Sequence, residues 1–144
     1  MSHELFWLVM TTAMTGSMWV PYILDRVMVR GMMGAMANPS PTDQPQSPWA
    51  QRLMAAHVNA VENLIIFAPL VLAAQDLNVN LATPTTTFAC QLYFWSRLVH
   101  AVVYTLGIPV LRTLAFAGGF VAQVMLVLAL FKLEIGRASC RERV

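Results

Sequence analysis

Apolar residues dominate four stretches of the chain, and shorter polar segments separate these stretches. A helix needs about 20 mostly apolar residues to cross a hydrocarbon core roughly 30 Å thick, and each stretch is long enough. The pattern therefore predicts four membrane-spanning helices, over Leu5 to Leu24, Trp49 to Gln75, Pro84 to Leu106 and Thr113 to Phe131.

The polar segments predict how the four helices are connected. Four of the eight prolines lie between Asn38 and Pro48. We expect an extended loop there, because proline lacks the backbone donor that a helix interior needs. The other two connections, near Asp76 to Thr83 and near Gly107 to Arg112, are short, which favours antiparallel neighbours in an up-down-up-down bundle.

Basic residues are more frequent on one side of the predicted bundle. Arg26, Arg30 and Arg52 flank the first loop and Arg112 lies beside the third, whereas within residues 1–133 only Lys132 lies at the opposite end. By the positive-inside rule, the long loop is expected in the cytoplasm and both termini outside. We expect a multi-pass integral membrane protein of a bacterial inner membrane.

Composition agrees with a membrane protein and excludes some functions. Only 11% of the residues are charged, against about 25% in a soluble domain. No basic patch interleaved with aromatic residues is visible, so nucleic acid is not an expected partner. Histidines, cysteines and carboxylates lack the spacing of a metal site, and no metal is expected.

Residues 134–144 break abruptly from the apolar run before them, so we interpret them as vector-derived sequence and residues 1–133 as one transmembrane domain.

Two charged residues, Glu62 and Arg97, lie deep inside predicted spans. A charge at membrane depth costs at least about 2.5–3.5 kcal/mol on insertion scales, so such residues usually face a bundle interior or a wet cavity. Glu62 shares a helix face with Arg52 and Asn59. We expect Glu62 to pair with Arg97 or with a cation of a neighbouring protomer, either as a structural lock or as part of a site. A second polar stripe on the third helix consists of Tyr93, Arg97, His100 and Tyr104.

These residues resemble motifs of the membrane-associated proteins in eicosanoid and glutathione metabolism (MAPEG), a family that includes microsomal glutathione transferases and prostaglandin E synthase. The resemblance implies an all-α, four-helix membrane protomer that assembles as a homotrimer. The matching pieces, spread over about Trp7 to Phe131, are Ala56 to Asn63, Arg97 to Tyr104, Arg112-Thr113, and Arg30 eight residues before Asn38-Pro39.

The resemblance also implies glutathione as co-substrate, bound between protomers near the cytosolic side. Arg112 would stabilise its thiolate, and Thr113 stands where some members have serine. The implied function is a glutathione-dependent transferase or peroxidase that acts on a hydrophobic electrophile arriving from the membrane lipid. Carried over by position, the residues that would hold the tripeptide are Arg30, Asn59, Glu62, Arg97, His100 and Tyr104.

Two other functions remain open. Many active relatives carry arginines where this chain has Ala55 and Val58, and several members bind lipid without catalysis, which favours a non-catalytic lipid-binding protein. Arg52, one turn earlier, is the cation that could replace the missing arginines. A small proton-coupled exporter would use Glu62 as its proton site. Arg97 argues against the exporter, because a nearby permanent cation would hold Glu62 ionised.

Overall fold

The computed structural model describes residues 1–77 and 84–141, with side chains for residues 1–76 and 84–132. All regular structure in these ranges is helical, as predicted. The predicted connection from Asp76 to Thr83 lies largely outside the described residues. The helices are α1 His3–Ser17, α2 Trp19–Met36, α3 Pro48–Leu77, α4 Pro84–Leu106 and α5 Pro109–Arg141.

The first predicted span is longer than the sequence suggested and is broken at Met18. Pro21 has no backbone N–H, so it cannot donate to the carbonyl of Ser17, where α1 ends. Met18 keeps right-handed helical angles (φ −63°, ψ −22°), so the path continues into α2, and the two helices together cover the residues of the first predicted span. The direction changes again at Gly31, whose φ of 71° lies in the region that favours glycine.

A glycine turn separates α4 from α5. The backbone amide of Gly107 donates to the carbonyl of Tyr104, and that of Ile108 donates to the carbonyl of Val103, both at 3.0 Å. With Gly107 at φ 80°, this is the Schellman pattern that ends a helix. Pro109, with its fixed φ, then begins α5. The predicted start of the fourth span at Thr113 is therefore four residues late as a helix boundary.

Side chains from four helices form the main hydrophobic core. The rings of Phe67 on α3 and Tyr93 on α4 stack with centroids 3.7 Å apart. Leu8 of α1 and Leu126 of α5 complete the same cluster. A second cluster, around Ala56 and Ala101, joins α2, α3 and α4. α4 therefore packs against α1, α3 and α5, whereas α2 packs against α3.

Polar contacts fix the two ends of α4. At its start, Oε1 of the buried Glu4 accepts hydrogen bonds from the hydroxyls of Thr86 and Thr87, both at 2.8 Å. At its end, Nε of Arg52 donates to the carbonyl of Thr105 at 2.8 Å. These contacts place the start of α1 beside the start of α4, and the start of α3 beside the end of α4.

Two of the described helices are long and apolar enough to cross a membrane, judged by length and composition. They are Pro48–Asp76 of α3 and Pro109–Lys132 of α5. Large apolar side chains on both remain exposed, among them Ile65, Val110 and Leu114. Exposed apolar side chains of this kind are typical of a protein surface that contacts lipid or a partner subunit. The spans predicted in α1–α2 and in α4 stay predictions.

Candidate functional site

Arg97 is the most deeply buried charged group of the polar stripe on α4, with 2% of its surface exposed. Its Nη1 donates to Oδ1 of Asn59 at 3.0 Å, and its Nη2 donates to Oδ1 of Asn63 at 3.4 Å. The guanidinium carbon also lies 5.4 Å from the ring centroid of Tyr93 and 5.1 Å from that of Phe116. Two neutral amides and two aromatic faces thus hold this cation.

The predicted ion pair between Glu62 and Arg97 within one chain is wrong. Glu62 is exposed on α3, and the one ion pair between described residues joins Arg30 and Asp43. Successive residues of an α-helix point about 100° apart, so Asn63 faces α4 while Glu62 points away from it. Pairing of Glu62 with a cation of a neighbouring protomer stays a prediction.

A cavity of about 210 Å³ lies where the end of α4 meets the start of α5. The guanidinium carbon of Arg112 lies 4.6 Å from the ring centroid of Tyr104. The buried ring of His100 contacts Tyr104 and Phe116. The cavity therefore combines a cation, an imidazole, a phenol, an amide and a hydroxyl. Its lining residues are Asn59, His100, Tyr104, Arg112, Thr113 and Phe116.

Arg112 is the group in this cavity best suited to hold an anion. No acceptor in the described part of the chain forms a hydrogen bond with its guanidinium, and the N-terminal end of α5 adds a partial positive charge nearby. Thr113 is less available, because its hydroxyl already donates to the carbonyl of Pro109 at 3.1 Å. A negatively charged sulfur or oxygen could bind here to Arg112 in a charge-assisted contact.

The structure brings five of the eight predicted site residues to this cavity, and Arg97 lies directly behind it. Arg30 and Glu62 lie elsewhere in the chain. Arg30 lines a different cavity, of about 360 Å³, between α2, the loop that follows it and the start of α3. Arg52, the expected replacement for missing cations, instead donates to the carbonyl of Thr105. It stabilises the C-terminal end of α4, where a positive charge is favourable.

Sequence reasoning did not link three residues to Arg97 that support it in the structure. Gln123 is buried, and its Nε2 donates to the backbone carbonyl of Asn63 at 3.2 Å. A polar residue in an otherwise apolar span was the available signal for Gln123. Phe116 contacts both Arg97 and His100. Gly119 leaves room for Arg97, since a Cβ atom built there would lie 2.7 Å from Nη2 of that residue.

Comparison with known proteins gives one family match. The model of the MAPEG family matches residues 5–132, which includes every residue of the cavity. Among the curated proteins, none matches the chain.

Proposed function

Since the chain belongs to the MAPEG family, we propose that it is a membrane-embedded, glutathione-dependent transferase or peroxidase that acts on a hydrophobic electrophile. The observation that carries the proposal is the cavity at the α4–α5 turn, where Arg112 lies over the ring of Tyr104 and beside Thr113. The cavity lies at an end of the bundle, where a water-soluble tripeptide and a lipid-soluble substrate can both arrive.

The chemistry of glutathione suits these groups. The tripeptide carries two carboxylates and an ammonium, which arginine side chains and a carboxylate complement. Its thiolate is the nucleophile, and a fixed guanidinium beside the sulfur favours the thiolate over the thiol. Arg112 supplies this cation. Asn59, Arg97, His100 and Tyr104 hold the tripeptide, and Thr113 is a secondary donor once its bond to Pro109 opens.

A homotrimer completes the site. Glu62 is exposed and Arg30 lines a separate cavity, so neither reaches the Arg112 cavity of its own chain. Both reach it when protomers of the up-down-up-down bundle pack side by side, and Glu62 then meets the ammonium of glutathione or a cation of the neighbour. The trimer lies in a bacterial inner membrane, with the long loop in the cytoplasm and both termini outside.

Separate roles for Arg112 and Arg97 give the test. With glutathione and a soluble aromatic electrophile, Arg112→Ala should lower kcat by about 10²-fold, as loss of a transition-state charge partner does, with a small change in KM. Arg97→Ala should mainly raise the KM for glutathione. Lys132→Ala removes an exposed cation far along α5 and should change neither constant. Equal losses of kcat in the Arg112 and Arg97 variants would contradict these roles.

A non-catalytic lipid-binding protein is the second candidate. Ala55 and Val58 are both exposed, and Val58 exposes 54% of its surface. Positions where active relatives carry arginines therefore present apolar surface in this chain, which favours lipid over an anionic tripeptide. Purified protein that retains lipid and shows no turnover with any electrophile would support this candidate.

A further inference from the structure

Arg30 is already occupied by a carboxylate of its own chain. Its Nη1 donates to Oδ2 of Asp43 at 2.8 Å, and its Nε donates to the backbone carbonyl of Gln44 at 2.8 Å. Both side chains of the pair are partly exposed, at 18% and 27%, on the cavity of about 360 Å³. A water-accessible ion pair contributes little to stability, so a carboxylate of a ligand can compete with Asp43.

The loop can release Arg30 without detaching from the bundle. Asp43 belongs to a tight turn in which its Oδ2 also accepts from the backbone amide of Ser40 at 3.0 Å. Further along, Nε2 of the buried Gln46 donates to the carbonyl of Tyr22. The backbone amide of Ser47 donates to Oδ2 of the buried Asp25 at 3.0 Å. These last two bonds anchor the loop independently of Asp43.

A second guanidinium lies one turn before Arg30 on α2. Arg26 lines the same cavity, and residues four apart lie on one helix face. In the described part of the chain its guanidinium forms one long hydrogen bond, 3.4 Å from Nε to Oε1 of Gln46. Its two Nη groups thus remain available to a ligand. The guanidinium groups of Arg26 and Arg30 therefore form a site for a carboxylate, and the side chain of Asp43 occupies that site in the structure.

The family resemblance already implies that Arg30 holds glutathione; we propose that Arg26 joins Arg30 on a carboxylate of that ligand, and that Asp43 is a built-in competitor which this carboxylate displaces on binding. This proposal rests on the proposed function. Competition by Asp43 makes the affinity for glutathione weaker than the two arginines alone would give. The loop that carries Asp43 therefore controls this affinity.

The first experiment measures whether Asp43 shields Arg30. Purified trimer in detergent is treated with phenylglyoxal, and modification of each arginine is followed by peptide mass spectrometry. Asp43→Asn should speed modification of Arg30 by about two- to five-fold, the range that an exposed ion pair allows. Asp76→Asn removes an exposed carboxylate at the far end of α3 and should leave the rate unchanged. Equal rates in wild type and Asp43→Asn would overturn the proposal.

The second experiment measures displacement, with glutathione as the protecting ligand. Glutathione should protect Arg30 from phenylglyoxal, at about two- to five-fold lower concentration in Asp43→Asn than in wild type. Arg26→Ala should raise the concentration needed. Absent protection, or protection unchanged by Asp43→Asn, would overturn the competitor role. Protection without turnover in the wild type would leave this proposal standing and reject the proposed enzyme activity, so the two failures are distinguishable.

Discussion

Arg97 lies against α5 because Gly119 has no side chain. A Cβ atom at Gly119 would lie 2.7 Å from Nη2 and 2.9 Å from Nε of Arg97. The guanidinium has little freedom to move aside, since it is buried and bonded to Asn59 and Asn63. The neighbouring Gly118 offers a comparison, because its Cβ would approach closely only the rotatable hydroxyl of Ser96, also at 2.7 Å, and would lie at an ordinary 3.5 Å from the Ser96 Cβ.

Gly119→Ala should therefore destabilise the protein by about 1–3 kcal/mol, the usual cost of overpacking a filled interior. Gly118→Ala should cost clearly less, because the Ser96 hydroxyl can rotate away. Thermal unfolding in detergent compares the two variants. Equal melting temperatures for both would show that Arg97 does not depend on the space at Gly119.

The spacing of polar residues predicted the stripe of Arg97, His100 and Tyr104 but misassigned the partner of Arg97. On α3, residues three and four positions after Asn59 both lie near its face. Those residues are Glu62 and Asn63, and the spacing alone does not say which one faces α4. Packing of α3 against α4 decides it, and Asn63 is the one turned inward. The opposite charge of Glu62 suggested it as the partner of Arg97, but the helix packing places the neutral amide of Asn63 there.

The start of α1 is attached to the start of α4 through Glu4. This carboxylate is 1% exposed, and the N-terminal end of α4 favours a negative charge. Hydroxyls of Thr86 and Thr87 donate to the same oxygen. The pattern of apolar residues does not indicate this contact, because Glu4 lies outside the predicted span and its partners are far away in the sequence.

Glu4→Leu should lower the melting temperature, because leucine accepts neither hydroxyl bond, and each buried bond lost costs about 1–3 kcal/mol. Glu4→Gln keeps an acceptor oxygen and should remain close to the wild type. Thermal unfolding of the detergent-purified variants measures both. A leucine variant as stable as the glutamine variant would contradict the attachment role.

Helix boundaries were predictable where the chain itself marks them. α4 begins at Pro84 and ends at Leu106, as predicted, because a proline is its first residue and Gly107 follows its last. The start of α5 at Pro109 was missed, and Thr113 was predicted instead. The turn between the two helices takes only Gly107 and Ile108, so it is shorter than the connection that the sequence suggested. The break at Met18 was also missed, because hydropathy gives no information about the backbone N–H that Pro21 lacks.

Arg30 and Arg112 line separate cavities within one chain. If they act together, they do so across a subunit boundary. In random mixtures of Arg30→Ala and Arg112→Ala chains, a cyclic trimer restores one intact boundary in each mixed assembly, or about a quarter of all sites. Activity of co-expressed chains, with each single variant as control, measures this recovery. No recovery when both single variants are inactive would place the site within one chain.

Under the proposed function, glutathione binds to this protein with its sulfur ionised beside Arg112. A free thiol with a pKa near 8.5 is mostly protonated at neutral pH, so a thiolate band there requires a stabilising cation. Ultraviolet difference spectroscopy of the purified protein at neutral pH, with and without glutathione, measures that band directly. We expect the band in wild type, and its loss in Arg112→Ala while glutathione still binds. Glutathione bound to the wild type without a thiolate band would contradict this role of Arg112.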